Sequence, residues 1–231
     1  MRRFYRQAEI GREANGFAVL LDGKPVRTPK GAPLLLDTAA LAQAIAAEWL
    51  AQGEKIRPPS MPLLRLANTG IDLMPEQAER SRRALLAYGD TDLLCYFAER
   101  PKELLARQRA TWRPILDWAE QRYDMALATT QGVLPLRQPE ATRQALGRAV
   151  AALSVMPLLV LQEATVLTGS LLLALAVQEG AVPGEVAWAA ATLDERFQAE
   201  TWGEDASEAA REAARRAEFQ ATLRFLALLR S

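Results

Sequence analysis

The stretch YGDTDLLCYFAERPKELLARQRATWRPILDW, running from Tyr88 to Trp118, decides how the rest of the chain is read. An acidic turn (Gly89, Asp90, Asp92) passes into a short apolar run (Leu93, Leu94, Cys95, Tyr96, Phe97). Pro101 then stands where a helix can begin, because its missing N–H and fixed φ suit the first helical position. From there Leu104, Leu105, Gln108, Trp112, Ile115 and Leu116 recur at three- and four-residue spacing, which gives the helix one broad apolar face. Pro114 is expected to bend or break it. Trp112 and Trp118 read as core aromatics, and Asp90 and Asp92 as caps of the turn they occupy.

Upstream, residues 4–36 have the grammar of strands. Gly16 precedes the apolar run 17–21, and Asp22-Gly23 makes a turn before Lys24 to Arg27, a hairpin signal because glycine readily adopts the positive φ such turns need. Asp37 or Thr38 can cap a helix running to about Gln52, with Leu41, Ile45, Trp49 and Leu50 on its buried face and Gly53 as its stop. Trp49 is expected in the core. Three prolines keep residues 56–62 extended. Residues 62–73 and 75–88 read as two short helices, with a domain boundary near Gly89.

Downstream of Tyr123 a short extended piece (125–129) and a loop (132–139) precede a run of helices. These are expected at 139–154, at 157–179, at 183–202 and at 205–229, the last supported by pairs such as Glu212 with Arg216. The fold class expected is therefore α+β: a domain of residues 1–88 built from a small antiparallel β-sheet with a packed helix, and a larger all-helical domain of residues 89–231.

Composition narrows the chemistry. At 231 residues and 50% apolar, the chain can bury a sizeable core without staples. Lys plus Arg equals Asp plus Glu at 28 each, so no net field draws the protein to nucleic acid or to an anionic membrane. There is no histidine, which removes the commonest general base, the Ser-His and Cys-His nucleophile pairs and most zinc ligation. The one cysteine, Cys95, lies in an apolar run and reads as an inert buried thiol of a reducing compartment. The opening MRRFYRQ has no apolar region behind it, so neither a secretory signal nor an organelle presequence is expected. Residues 158–177 are long enough to consider as a membrane span, but Gln162, Glu163, Thr165, Thr168 and Ser170 favour a buried helix.

Two segments offer chemistry. GREANG (residues 11–16) has glycines spaced like a phosphate loop but lacks the lysine and hydroxyl that follow one, so no nucleotide or other cofactor is expected. LDERFQAETWG (residues 193–203) gathers Asp194, Glu195 and Glu200 with Gln198 and Trp202. Two carboxylates beside an aromatic could serve as an acid and base pair, as in glycoside hydrolysis. Adjacent positions on a helix point about 100° apart, however, so Asp194 and Glu195 do not converge on one small substrate. A polar contact on a partner protein is the better use of that face; a solvated face is the plain alternative.

Three blocks of residues resemble the assembly chaperones of F-type ATP synthase that hold its alpha subunit. The central block is Asp90, Thr91, Asp92, Cys95, Tyr96, Pro101, Leu104, Gln108, Trp112, Pro114, Ile115, Trp118, Ala119 and Tyr123. The opening block is Phe4-Tyr5, Gly16-Phe17, Leu21-Asp22, Lys24, Thr28-Pro29 and Glu48-Trp49; the late block is Leu193, Asp194, Glu195, Phe197, Gln198, Trp202 and Gly203. The resemblance implies a non-enzymatic chaperone that binds free alpha subunit, prevents its aggregation and yields it to the beta subunit; a monomer is expected. It implies no nucleic-acid partner and no membrane insertion. With neither a signal nor a transit sequence read at the start, the cytoplasm is expected if the protein is bacterial; the resemblance implies the mitochondrial matrix for eukaryotic members. It puts partner binding at Asp194, Glu195, Gln198 and Trp202, with Glu195 and its neighbour Asp194 carrying the acidic role. Arg196 departs from the family pattern, where a third acid is common. The rival readings are a carboxylate hydrolase combining Asp90 or Asp92 with Glu195, and a helical adaptor for another partner.

Overall fold

The structure, a computed structural model, describes residues 1–203 and 205–231. Its class is α+β, and its contacts fall into two compact units. The first comprises residues 1–78, 155–160 and 220–231; the second comprises residues 79–154 and 161–219.

In the first unit, β1 (Ala8–Glu13) and β2 (Gly16–Leu21) pair antiparallel in the register Ala8↔Leu21 to Glu13↔Gly16. β3 (Lys24–Pro25) and β4 (Leu35–Leu36) also lie antiparallel to β2. Asp22 and Gly23 both adopt positive φ (48° and 76°), the left-handed pair that a two-residue hairpin requires. The Asp22 carboxylate then accepts N–H bonds from Arg6 (3.0 Å) and Gln7 (2.8 Å), which lower its pKa. Gly16 is constrained for a second reason. A Cβ there would sit 2.6 Å from the Leu36 carbonyl oxygen, so β2 and β4 close only over a glycine.

Helix α1 (Ala39–Leu50) covers this sheet with Leu41, Ala42, Ile45 and Trp49 buried. Thr38 caps it, accepting from the Leu41 N–H at 3.2 Å. The Tyr5 hydroxyl donates to the Trp49 carbonyl (2.7 Å), and the two rings meet edge to face. Glu48 turns the end of α1 into a cap for α2 (Pro62–Asp72): its two carboxylate oxygens accept the N–H groups of Leu63 (2.8 Å) and Leu64 (2.9 Å). Those are donors that a helix start leaves unpaired. Burial raises the Glu48 pKa while the two N–H bonds pull against it.

α3 (Met74–Asp90) follows, running two residues further at its C-terminal end than its sequence pattern suggests, so Gly89 and Asp90 belong to a helix and not to an acidic turn. The expected boundary near Gly89 thus falls inside α3, whose first residues belong to the first unit and the rest to the second. A short 3-10 turn (Leu93–Cys95) leads to β5 (Tyr96–Phe97), and α4 (Lys102–Tyr123) forms the axis of the second unit. Leu104, Gln108, Trp112, Ile115 and Leu116 are buried as the spacing indicates, Ala119 extends that face, and Leu105, expected on it, is half-buried. Pro114 sits within α4 without ending it. The carbonyl it deprives of a donor belongs to Ala110, which is exposed and can turn to solvent. Pro101 is the residue before the helix, not its first position.

Residues 125–129 form no strand; instead β6 (Thr130–Gln131) pairs parallel with β5. α5 (Glu140–Ala151) is followed by α6 (Val155–Thr168) and α7 (Leu171–Gln178), where one continuous apolar helix was expected. The break has a local cause. Gly169 takes φ +71° as a C-terminal stop, and the Ser170 hydroxyl accepts the Leu173 N–H (3.0 Å), restarting the helix. α7 is buried at every residue. The expected helix 183–202 is likewise two, α8 (Gly184–Ala191) and α9 (Leu193–Trp202), because Thr192 leaves helical backbone angles (φ −101°, ψ 13°). α10 (Ala206–Leu229) ends the chain, with Asp205 accepting the N–H groups of Ser207 (2.7 Å) and Glu208 (3.2 Å) at its start. The expected Glu212–Arg216 pair does not form: Glu212 accepts from the Trp188 indole (3.3 Å), and Arg216 pairs with Glu185. No helix of the described residues is long and apolar enough to cross a membrane.

Candidate functional site

The acidic segment 193–203 is α9, and with the first half of α10 it bounds an open groove of about 740 Å³. Glu195, Gln198, Glu200 and Trp202 line the α9 side; Glu208, Arg211, Glu212 and Arg215 line the other. Buried aromatics hold the neighbourhood in place. Trp188 packs on Phe219 (ring centroids 5.4 Å apart), and Phe197 is buried on the inner face of α9.

The four residues expected to meet a partner do not share one environment. Asp194 is half-buried and accepts from the Gln108 side-chain amide at 2.8 Å. Burial raises its pKa first, the Gln108 bond lowers it, and the adjacent Glu195 charge raises it again. Glu195 faces solvent and pairs with Arg215 at 3.1 Å. Gln198 is exposed. Trp202, at 77% exposed, is the least covered tryptophan of the chain. Helix geometry therefore separates the two adjacent acids: one is tied into the body of the unit, and the other is offered to the exterior.

Arginines from distant segments complete the face, and sequence reading did not find them. Arg107 of α4 pairs with Glu200 (2.5 Å) and lies over the Phe197 ring at 5.1 Å. Arg215 lies over the Trp188 ring at 5.5 Å while it pairs with Glu195. These partners are 93 and 20 residues apart in the chain, so no local pattern announces them.

The remaining singled-out residues are placed as follows. Trp49 is buried in the first unit. Trp112 is fully buried and donates its indole N–H to the Ala190 carbonyl at 3.0 Å. Trp118 is half-buried, edge to face with Tyr123. Asp90 ends α3 and pairs with Arg143 at 3.1 Å. Asp92 has no solvent exposure: Oδ1 accepts from the Leu94 N–H (3.1 Å) and the Ser170 hydroxyl (2.7 Å), and Oδ2 accepts from the Leu172 N–H (3.0 Å). Desolvation pushes its carboxyl up to about 6 against those bonds. A carboxylate sealed in this way is not open to a substrate, so the hydrolase reading loses Asp92 as the mate of Glu195. Cys95 is buried beside it, and desolvation and the Asp92 charge raise its pKa, which suppresses the thiolate.

Residues 2–120 match the profile of a family described as ATP12 chaperone protein. Solved structures carry the likeness across the whole chain. The structure of Atp12 from Paracoccus denitrificans is 42% identical, with a TM-score of 0.94, 99% of this chain covered and 98% of that one. A mutant of the Atp12p of P. denitrificans is similar at 41% identity and TM-score 0.94, covering 99% of this chain and 97% of that one. A protein of Agrobacterium tumefaciens matches at 39% identity and TM-score 0.94, covering 99% of this chain and 86% of that one.

Proposed function

The chain belongs to the ATP12 chaperone family, and from that premise we propose that it serves assembly of the F-type ATP synthase by holding free alpha subunit, preventing its aggregation and yielding it to the beta subunit. The partner-facing surface of this reading is the α9–α10 groove. The observation that carries it is Trp202, a large aromatic left 77% exposed at the edge of a groove whose walls bear carboxylates and guanidinium groups. An aromatic anchor within a charged rim is the composition that protein interfaces concentrate. Glu195 then supplies a carboxylate at the rim, and Asp194, held by Gln108, fixes the first turn of α9 behind it. The role needs neither cofactor nor catalysis. It needs a surface that binds strongly enough to stop self-association and weakly enough to be displaced. A monomer in the cytoplasm of a bacterium completes the reading.

Glu195→Lys tests it. The side chain is exposed, and its pair with Arg215 is worth about 1 kcal/mol or less to the fold. The variant is therefore expected to melt with wild type yet capture purified alpha subunit about tenfold more weakly in a pull-down titration. Undiminished capture by a folded variant would remove Glu195 from the interface.

A further inference from the structure

Away from the α9–α10 groove, two adjacent apolar side chains are held out in solvent at the tip of one loop. Val133 is 95% exposed and Leu134 is 71% exposed, the first being the most exposed large apolar side chain among the described residues. The loop is tied down on both sides of that tip. Before it, the Gly132 N–H donates to the Phe97 carbonyl at 2.9 Å. Gly132 takes φ +81°, a backbone conformation that strains any residue with a Cβ, so the entry favours glycine. After it, the Leu136 N–H donates to the Tyr96 hydroxyl at 3.2 Å, and the buried Gln138 side chain accepts from the Ala128 N–H and donates to the Ala128 carbonyl, both at 3.0 Å. Pro135 fixes one more φ between the anchors. A tip anchored in this way has already lost most of the freedom that binding would otherwise cost.

Beside the loop lies a cleft of about 360 Å³ lined by Phe97, Arg109, Arg113 and residues 129–131. Arg113 is committed to Asp117 (2.6 Å) and Glu120 (2.9 Å). Arg109 and Arg137 form no ion pair among the described residues. The surface thus combines an anchored apolar tip with the uncommitted guanidinium of Arg109 in the cleft and that of Arg137 three residues beyond Leu134, against the carboxylate of Glu99, while Asp117 and Glu120 are already taken up by Arg113. Its complement is an apolar depression on a folded protein, rimmed by carboxylates. The chain carries no net charge, which disfavours an anionic membrane as the occupant.

α4 relates this surface to the groove. Arg107 reaches Glu200 of α9, whereas Arg109 lines the loop cleft. Two positions apart on a helix is about 200° of rotation, so the two surfaces flank α4 on opposite sides. We infer that the Val133-Leu134 tip, with Arg109 and Arg137, is a second contact for the same client, which therefore wraps α4 from both sides. This rests on the alpha subunit being the client, as proposed above.

The experiment is a pull-down titration of purified alpha subunit with wild type, the double variant Val133→Ser with Leu134→Ser, and Arg109→Glu, with melting curves and co-sedimentation with vesicles of anionic phospholipid in parallel. Capture about tenfold weaker for the double variant at unchanged melting, and weakened also for Arg109→Glu, supports the inference. If wild type captures the alpha subunit and both variants equal it, the second contact is wrong and the client reading stands. If wild type captures none, the client reading falls and the inference with it. Vesicle binding that is lost in the double variant while capture stays intact would reassign the tip to lipid and overturn the inference. Should the double variant melt early, Arg109→Glu alone decides.

Discussion

Replacing Asp92 by alanine removes the acceptor on which three buried donors converge: the N–H groups of Leu94 and Leu172 and the hydroxyl of Ser170. An unmet buried donor costs about 1–3 kcal/mol, so the three together cost about 6 kcal/mol. The substitution also removes an acid that folding disfavours. Burial lifts the carboxyl from 3.8 to about 6, and keeping it ionised at pH 7 costs about 3 kcal/mol at 1.36 kcal/mol per pH unit. The net loss expected at pH 7 is about 3 kcal/mol. The sign with pH follows from the raised value. The folded state holds this proton more tightly than the unfolded chain, so the stability it contributes is present below the unfolded pKa and is lost as pH rises through the folded one. Wild type should gain on acidification where the alanine variant cannot. The gap between them should therefore widen to about 4 kcal/mol at pH 5. Urea denaturation followed by circular dichroism at pH 7 and pH 5 reads both numbers. A variant within 1 kcal/mol of wild type at pH 7, or a gap that narrows at pH 5, would refute this reasoning.

Trp49→Arg places an unpaired guanidinium where the indole packs against Tyr5, and it should unfold the first unit; a variant that melts with wild type would show the site tolerates the charge. Gln108→Ala strips the Ala98 N–H of its acceptor (2.7 Å) and Asp194 of its donor (2.8 Å). It should cost about 2–4 kcal/mol and raise the Asp194 pKa further, read by chemical denaturation and by carboxyl NMR titration. An unmoved Asp194 titration would mean that Gln108 does not hold it.

What the sequence makes legible is whatever local chemistry decides. The Asp22-Gly23 hairpin, the α1 face of Leu41, Ile45 and Trp49, and the three- and four-residue spacing of α4 are present as expected, whereas Leu50, expected on that α1 face, is 49% exposed at the last residue of the helix. Pro114 misleads because the penalty of an internal proline depends on whether the freed carbonyl can reach water, and exposure is a tertiary property. The division of α6 from α7 was written locally in Gly169-Ser170, yet the high apolar content on both sides of that pair masks it. What secures that division, the bond from Ser170 to Asp92, crosses 78 residues. The candidate site divides the same way. The segment 193–203 announces its acids and its tryptophan, but Asp194 is taken inward by Gln108 and Glu195 is met by Arg215, and both partners come from other helices. The exposed Val133-Leu134 pair was equally invisible, since apolar residues in a loop carry no mark of which way they face.

The most direct measurement is light scattering from purified alpha subunit under conditions where it aggregates, with and without an equimolar amount of this protein. The account expects scattering to be suppressed up to one chaperone per subunit, to return when Glu195→Lys replaces wild type, and to be restored to productive assembly on adding beta subunit. Scattering that rises at the same rate beside folded, equimolar wild type would contradict it.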